Sequence, residues 1–115
     1  MMWYPDDRVM SDVADIFKQL GDASRLRIAL CCMNNDVCVT DIAEQLRMSP
    51  SLVSHHLRLL RAARLVRADR RGKQVYYSLA DSHVRSVLSD MVDHVSERYE
   101  EALLPLQGVK QGAKK

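Results

Sequence analysis

At 115 residues, with 47% hydrophobic and 28% charged side chains, the chain has the size and composition of one ordinary globular domain. No apolar run approaches the ~20 residues that span a bilayer, and the acidic opening MMWYPDD is unlike a secretory leader, so a cytoplasmic protein with no membrane partner is expected. The net charge of +2 hides a segregation: residues 1–48 carry five basic against eight acidic side chains, residues 49–80 seven against one, and residues 81–101 two against six.

In chain order, Val9, Val13, Ile16, Phe17 and Leu20 recur at helical spacing, and Gly21 marks the end of a first helix from Val9 to Leu20. Asp22 is a good cap for a second helix, from Ala23 to about Met33, and Asn34-Asn35-Asp36 is turn chemistry. A short third helix is expected over Val39–Leu46. Ser49-Pro50 then places a capping hydroxyl before a proline whose missing N–H costs nothing at the first helical position. The helix it opens runs to about Ala63. Val53, His56, Leu57, Leu60 and Ala63 share one face, and Ser51, Ser54, His55 and Arg58 the other. The period then changes from 3.6 to 2. Leu65–Ala68 and Val75–Leu79 read as strands of a hairpin joined by Arg70-Arg71-Gly72-Lys73-Gln74. Asp81 or Ser82 caps a last helix to about Glu100. The domain is expected to span residues 1–104, followed by a disordered basic tail over 105–115.

The resulting order, ααααββα, is mostly α with a β-hairpin wing. A short helix, a three-residue turn and a helix with a polar outer face form a helix-turn-helix, and the hairpin completes a winged helix-turn-helix. The basic segment coincides with this unit, which is the electrostatic footprint of a nucleic-acid surface. Ser49, Ser51, Ser54, His55 and Arg58 are placed to bond phosphates and base edges in a major groove. Arg70, Arg71, Lys73 and Gln74 of the wing are placed to reach flanking phosphates of double-stranded operator DNA. His56, on the apolar face, is read as a core residue. A charged protein-interaction module is the competing reading.

The stretches LGDASRLRIAL, CVTDIAEQL, SPSLVSHHLRLLRAARLV and RRGKQVYYSL resemble the ArsR/SmtB family of metal-sensing repressors, over roughly residues 13–100. The resemblance implies a homodimer formed through the first and last helices, whose metal-free form binds an operator and loosens its grip when metal binds. The activity expected is therefore regulatory and not enzymatic, with no small organic substrate.

The last helix carries Asp81, His83, His94 and Glu97. His94 and Glu97 lie three apart, on one helix face, and Asp81 and His83 form a second pair. Eleven residues separate the histidines, which is ~16 Å along a helix axis, far beyond zinc–ligand bonds of ~2.0–2.2 Å. Two antiparallel copies can bring Asp81 and His83 of one chain to His94 and Glu97 of the other, making two symmetric sites. The resemblance supports this set, because SmtB-like members carry Asp-x-His and His-x-x-Glu on this helix. Two imidazoles and two carboxylates suit zinc, with cobalt or nickel as substitutes. In family members a metal-bound histidine donates to a carbonyl just after the recognition helix. That points to His94 as donor and the carbonyl near Arg64 as relay.

Cys38 and Asp41 stand where the family has a second, thiolate site. The Cys-x-Cys of arsenic and cadmium types is absent, leaving a possible or vestigial second metal site. Three cysteines are too few, and odd in number, for a disulfide framework. Cys31 and Cys32 are read first as core filler. A thiol-based sensor of arsenite or oxidants using Cys31, Cys32 and Cys38 is the alternative, and a metal-independent DNA-binding protein a lesser one. A zinc hydrolase is set aside, since four protein ligands leave no coordination position for water.

Overall fold

The computed structural model describes the backbone of residues 3–107 and side chains as far as residue 102. The elements run α1 (Asp7–Leu20), α2 (Ala23–Cys31), β1 (Val37–Cys38), α3 (Val39–Leu46), α4 (Pro50–Ala62), β2 (Val66–Arg71), β3 (Gln74–Leu79) and α5 (Ser82–Gln107). No helix among the described residues is long and apolar enough to cross a membrane. The chain divides into two compact units, one ending at Val84 and the other beginning at Arg85.

In the first unit α4 packs on α2, α3 and β2, and α1 rests on α2. The spacing of apolar side chains explains this. Ile28 and Cys32, Ile42, and Val53, Leu57 and Leu60 are fully buried, as is Leu65 just before β2. Burying each such aliphatic side chain contributes about 1.5–3 kcal/mol. The sheet is antiparallel in the order β1-β3-β2. Its period-2 pattern buries Val66 and Leu79 on one face and exposes Arg67, Asp69 and Arg71 on the other.

Several boundaries differ from the sequence expectation, including α2, which ends at Cys31, and β2, which starts at Val66. Asp6 caps α1 by accepting the Arg8 N–H at 2.7 Å, so the helix starts at Asp7. Residues 37–38 pair with Tyr77 and Tyr76 as a third strand, making the order ααβααββα. Arg70, Arg71 and Gln74 belong to the strands, leaving Gly72-Lys73 as a two-residue turn. The last helix continues through Pro105 to Gln107, and the expected disordered tail from residue 108 onward lies outside the described residues. For β1 and for Arg70, Arg71 and Gln74 the cause is cross-strand pairing, which a linear pattern does not contain.

The described part of the second unit is a stretch of α5. Val87, Met91, Val92, Val95 and Tyr99 are exposed along it. In the first unit α1 buries no residue, and Val9, Val13 and Phe17 are exposed.

Candidate nucleic-acid interface and metal ligands

The polar face of α4 is laid out by its capping and core contacts. Ser49 accepts the Leu52 N–H at 3.2 Å, and Pro50 opens the helix. With Val53, His56, Leu57 and Leu60 facing the core, Ser51, Ser54, His55 and Arg58 stand exposed on the opposite side. Arg61 extends this exposed row by a turn, a position that the sequence reading passed over. His56 is buried, as its apolar face implied, and its Nδ1 lies 3.4 Å from Nη1 of Arg25. Because a guanidinium can only donate, Nδ1 accepts, and the ring is neutral with its proton on Nε2. Burial pushes its pKa below the ordinary histidine value, and the Arg25 charge adds to this against the opposing pull of Asp22.

Both helices of the helix-turn-helix end in the same way. Met48 N–H reaches the Ala43 carbonyl and Arg47 N–H that of Glu44; Leu65 N–H reaches Leu60 and Arg64 N–H reaches Arg61. These six-to-one and five-to-two bonds are Schellman closures. The left-handed residue, usually glycine, is Arg47 (φ 58°) in the first and Arg64 (φ 62°) in the second.

The wing turn needs its glycine: Gly72 has φ +65°, as the first central residue of a two-residue hairpin. A Cβ there would meet nothing within 4 Å, so the tip projects freely. Arg70 and Arg71 alternate to opposite faces. Arg70 Nη1 donates to the Gly72 carbonyl at 3.4 Å, and Lys73 and Gln74 are exposed. Arg71 is engaged on three sides. It donates from Nε to Asp69 at 2.9 Å and from Nη2 to Asp36, and its guanidinium lies 4.8 Å from the centre of the Tyr76 ring. The two carboxylates, Asp36 first, raise its pKa further. Beside it Arg67 donates to Ser78 at 3.1 Å.

Asp81 caps α5 by accepting the Val84 N–H at 3.0 Å, which holds its carboxyl below the usual range, and lies 3.8 Å from His83 Nδ1. His83, His94 and Glu97 are exposed. The donor set, imidazoles and carboxylates open to solvent, is of a kind that fits zinc. Among the described residues of one chain, no three potential ligands gather around a common point. Cys38 is buried with Sγ 3.3 Å from Thr40 Oγ1, whereas Asp41 is exposed. All three cysteines are free thiols. Burial raises the Cys31 thiol and, with the nearby Cys31 and Asp36 charges, pushes Cys32 up to about 12. A thiol that stays protonated is a poor nucleophile and metal ligand.

Residues 22–68, from the cap of α2 into β2, match the family described as "Bacterial regulatory protein, arsR family". A transcriptional repressor SmtB homolog of Synechocystis is 45% identical over 74% of this chain, an alignment spanning 64% of that relative. A cadmium resistance transcriptional regulatory protein CadC homolog of Staphylococcus aureus is 39% identical over 75% of this chain and 72% of its own length. The chain belongs to the arsR family. Among solved structures, a homodimeric winged helix-turn-helix DNA-binding domain of a possible ArsR-family regulator from Mycobacterium bovis superposes with a TM-score of 0.72. It is 27% identical and covers 84% of this chain and 91% of that one. Matched family and fold are those of transcriptional regulators, not of enzymes.

In arsR-family terms, α3 and α4 are the helix-turn-helix and β2–β3 the wing. The family match covers α2 to β2, and so the reading helix, but ends before Asp81, His83, His94 and Glu97. Sequence reasoning missed the Asp36–Arg71 and Arg25–His56 pairs, 35 and 31 residues apart in the chain. Only the turn residues Asn34–Asp36 hinted at the first, by placing a carboxylate at the sheet's edge.

Proposed function

We propose that this arsR-family chain is a metal-responsive repressor. Its metal-free dimer binds operator DNA through Ser51, Ser54, His55 and Arg58 of α4 and Arg70, Lys73 and Gln74 of the wing. The observation that carries the DNA half is the exposed polar and basic face of α4, held rigid by a buried opposite face and a capped start. Ser49 serves that face chiefly as its cap. Dimerisation is supported by the exposed apolar residues of α1 and of α5 and by the homodimeric M. bovis domain.

For the metal half, Asp81 and His83 of one subunit with His94 and Glu97 of the other are the ligands, and the similarity to a cadmium resistance regulatory protein supports a metal response. Zinc, when bound, supplies a cross-link between subunits, with cobalt or nickel as substitutes. The protein's part is to spread those ligands over two chains, so that closing the chelate selects one dimer geometry. Only a difference in zinc affinity between the DNA-bound and free geometries can weaken operator binding. The carbonyl of Arg64, in the turn that closes α4, is the relay to the reading head.

The test is fluorescence anisotropy of a duplex selected by the protein from random DNA, with and without zinc chloride. Affinity is expected to fall by roughly 5–150-fold with zinc, and His94→Ala to bind DNA normally but lose that response. Unchanged affinity on adding zinc to the parent protein would leave a plain repressor.

A further inference from the structure

The outer face of the small sheet carries a chain of contacts that the DNA-binding reading does not use. Arg67, Asp69 and Arg71 alternate onto that face from β2, and their register partners Ser78, Tyr76 and Gln74 share it from β3. β1 pairs on the far side of β3, so β3 is the central strand. Asp36 immediately precedes β1, in the turn that follows α2. The Arg71 side chain therefore leaves the edge strand, crosses the sheet over Tyr76 of the central strand, and ends on Asp36 beyond it, while Asp69 holds its Nε.

We infer that Arg71 is a positioning residue: with Asp36, Asp69 and Tyr76 it ties the wing to the helical body, and it does not contact phosphate. Three features support this. Two of its three guanidinium nitrogens, Nε and Nη2, donate to carboxylates, whose charge repels a phosphate approaching the same group. The acceptor Asp36 belongs to the α2–β1 turn and not to the hairpin, so the bond fixes the hairpin against something outside itself. Arg70, one residue away and on the opposite face, has only a long bond to a tip carbonyl and stays available. The rigid planar fork that holds two carboxylates in this geometry is not reproduced by the compact ammonium of lysine.

This inference rests on the DNA-binding reading for its effect on affinity, but its structural half is read in the free protein. Amide exchange at Arg70–Gln74 is measured in the parent, Arg71→Lys, Asp36→Asn and Lys73→Ala proteins. Operator affinity is then followed against salt for each. Exchange at the tip is expected to quicken in Arg71→Lys and Asp36→Asn, and not in Lys73→Ala. Affinity is expected to fall by up to about fivefold in the first two, the upper end for an exposed ion pair, with the salt slope unchanged. Asp36→Glu, which keeps the carboxylate, restores the parent behaviour. Lys73→Ala instead lowers the slope by about 0.9 for each phosphate that is no longer neutralised.

Tighter binding by Asp36→Asn, or full affinity in Arg71→Lys, would show that Arg71 is a phosphate contact held back by its carboxylates. Unaltered exchange in Arg71→Lys and Asp36→Asn would overturn the tie itself. Absence of DNA binding by the parent protein would remove the repressor reading, and the exchange data would still decide the tie.

Discussion

His56 sits on the buried face of the reading helix as a neutral ring, with one nitrogen facing a guanidinium and its charged form disfavoured by burial. A base whose pKa is lowered by folding binds its proton more readily in the unfolded chain. Stability is therefore complete above the unfolded value of about 6.5 and declines as pH falls through it toward the lowered folded value. Urea titrations at stepped pH are expected to show the midpoint dropping below about pH 6.5. His56→Gln, which keeps a polar group of similar reach but does not titrate, removes that part of the decline. A midpoint with the same pH dependence in both proteins would mean that other groups account for it.

At the scale of elements, the two closures that frame α4 place arginine where the backbone favours glycine. A left-handed conformation costs an L-residue roughly 1–2 kcal/mol, and glycine gives part of this back as unfolded-state entropy. Arg47→Gly is expected to raise unfolding free energy by about 0.5–1 kcal/mol, read from the urea midpoint at unchanged slope. No gain would mean that the arginine side chain offsets its own strain.

The helices themselves were legible because their signals are local. Asp22 and Ser49-Pro50 mark starts, and apolar residues at helical spacing mark the buried faces of α3 and α4. The two-residue strand β1 was not, because two residues carry no period and their pairing partners lie 38 and 40 positions away. Arg70 and Arg71 looked like loop because they are charged, yet cross-strand pairing holds them in β2. The polar face of α4 could be read directly, whereas the engagement of Arg71 depends on Asp36, which no pattern in the chain connects to it.

For the whole molecule, charge and apolar exposure point different parts of the surface at different partners. Residues 49–80 concentrate the positive charge, while the acidic flanks contain the helices with apolar residues in the open. Contiguous apolar exposure on a small soluble domain marks an interaction surface. Phe17, 59% exposed on a helix that buries nothing, is the largest such side chain of α1. Phe17→Asp is expected to convert the proposed dimer to single chains in sedimentation equilibrium and to weaken operator binding, because one reading helix then contacts DNA without its twin. A variant that stays dimeric would move the association surface away from α1.

The hairpin tip has one further use. A Cβ at Gly72 would meet nothing within 4 Å, and of the three thiols Cys32 and Cys38 are buried while Cys31 is half-buried with its proton held more tightly than usual. A dye carried on Lys73→Cys would therefore label one outlying point in preference to the native sulfurs. Its emission would then report directly whether a duplex comes within reach of the hairpin's end.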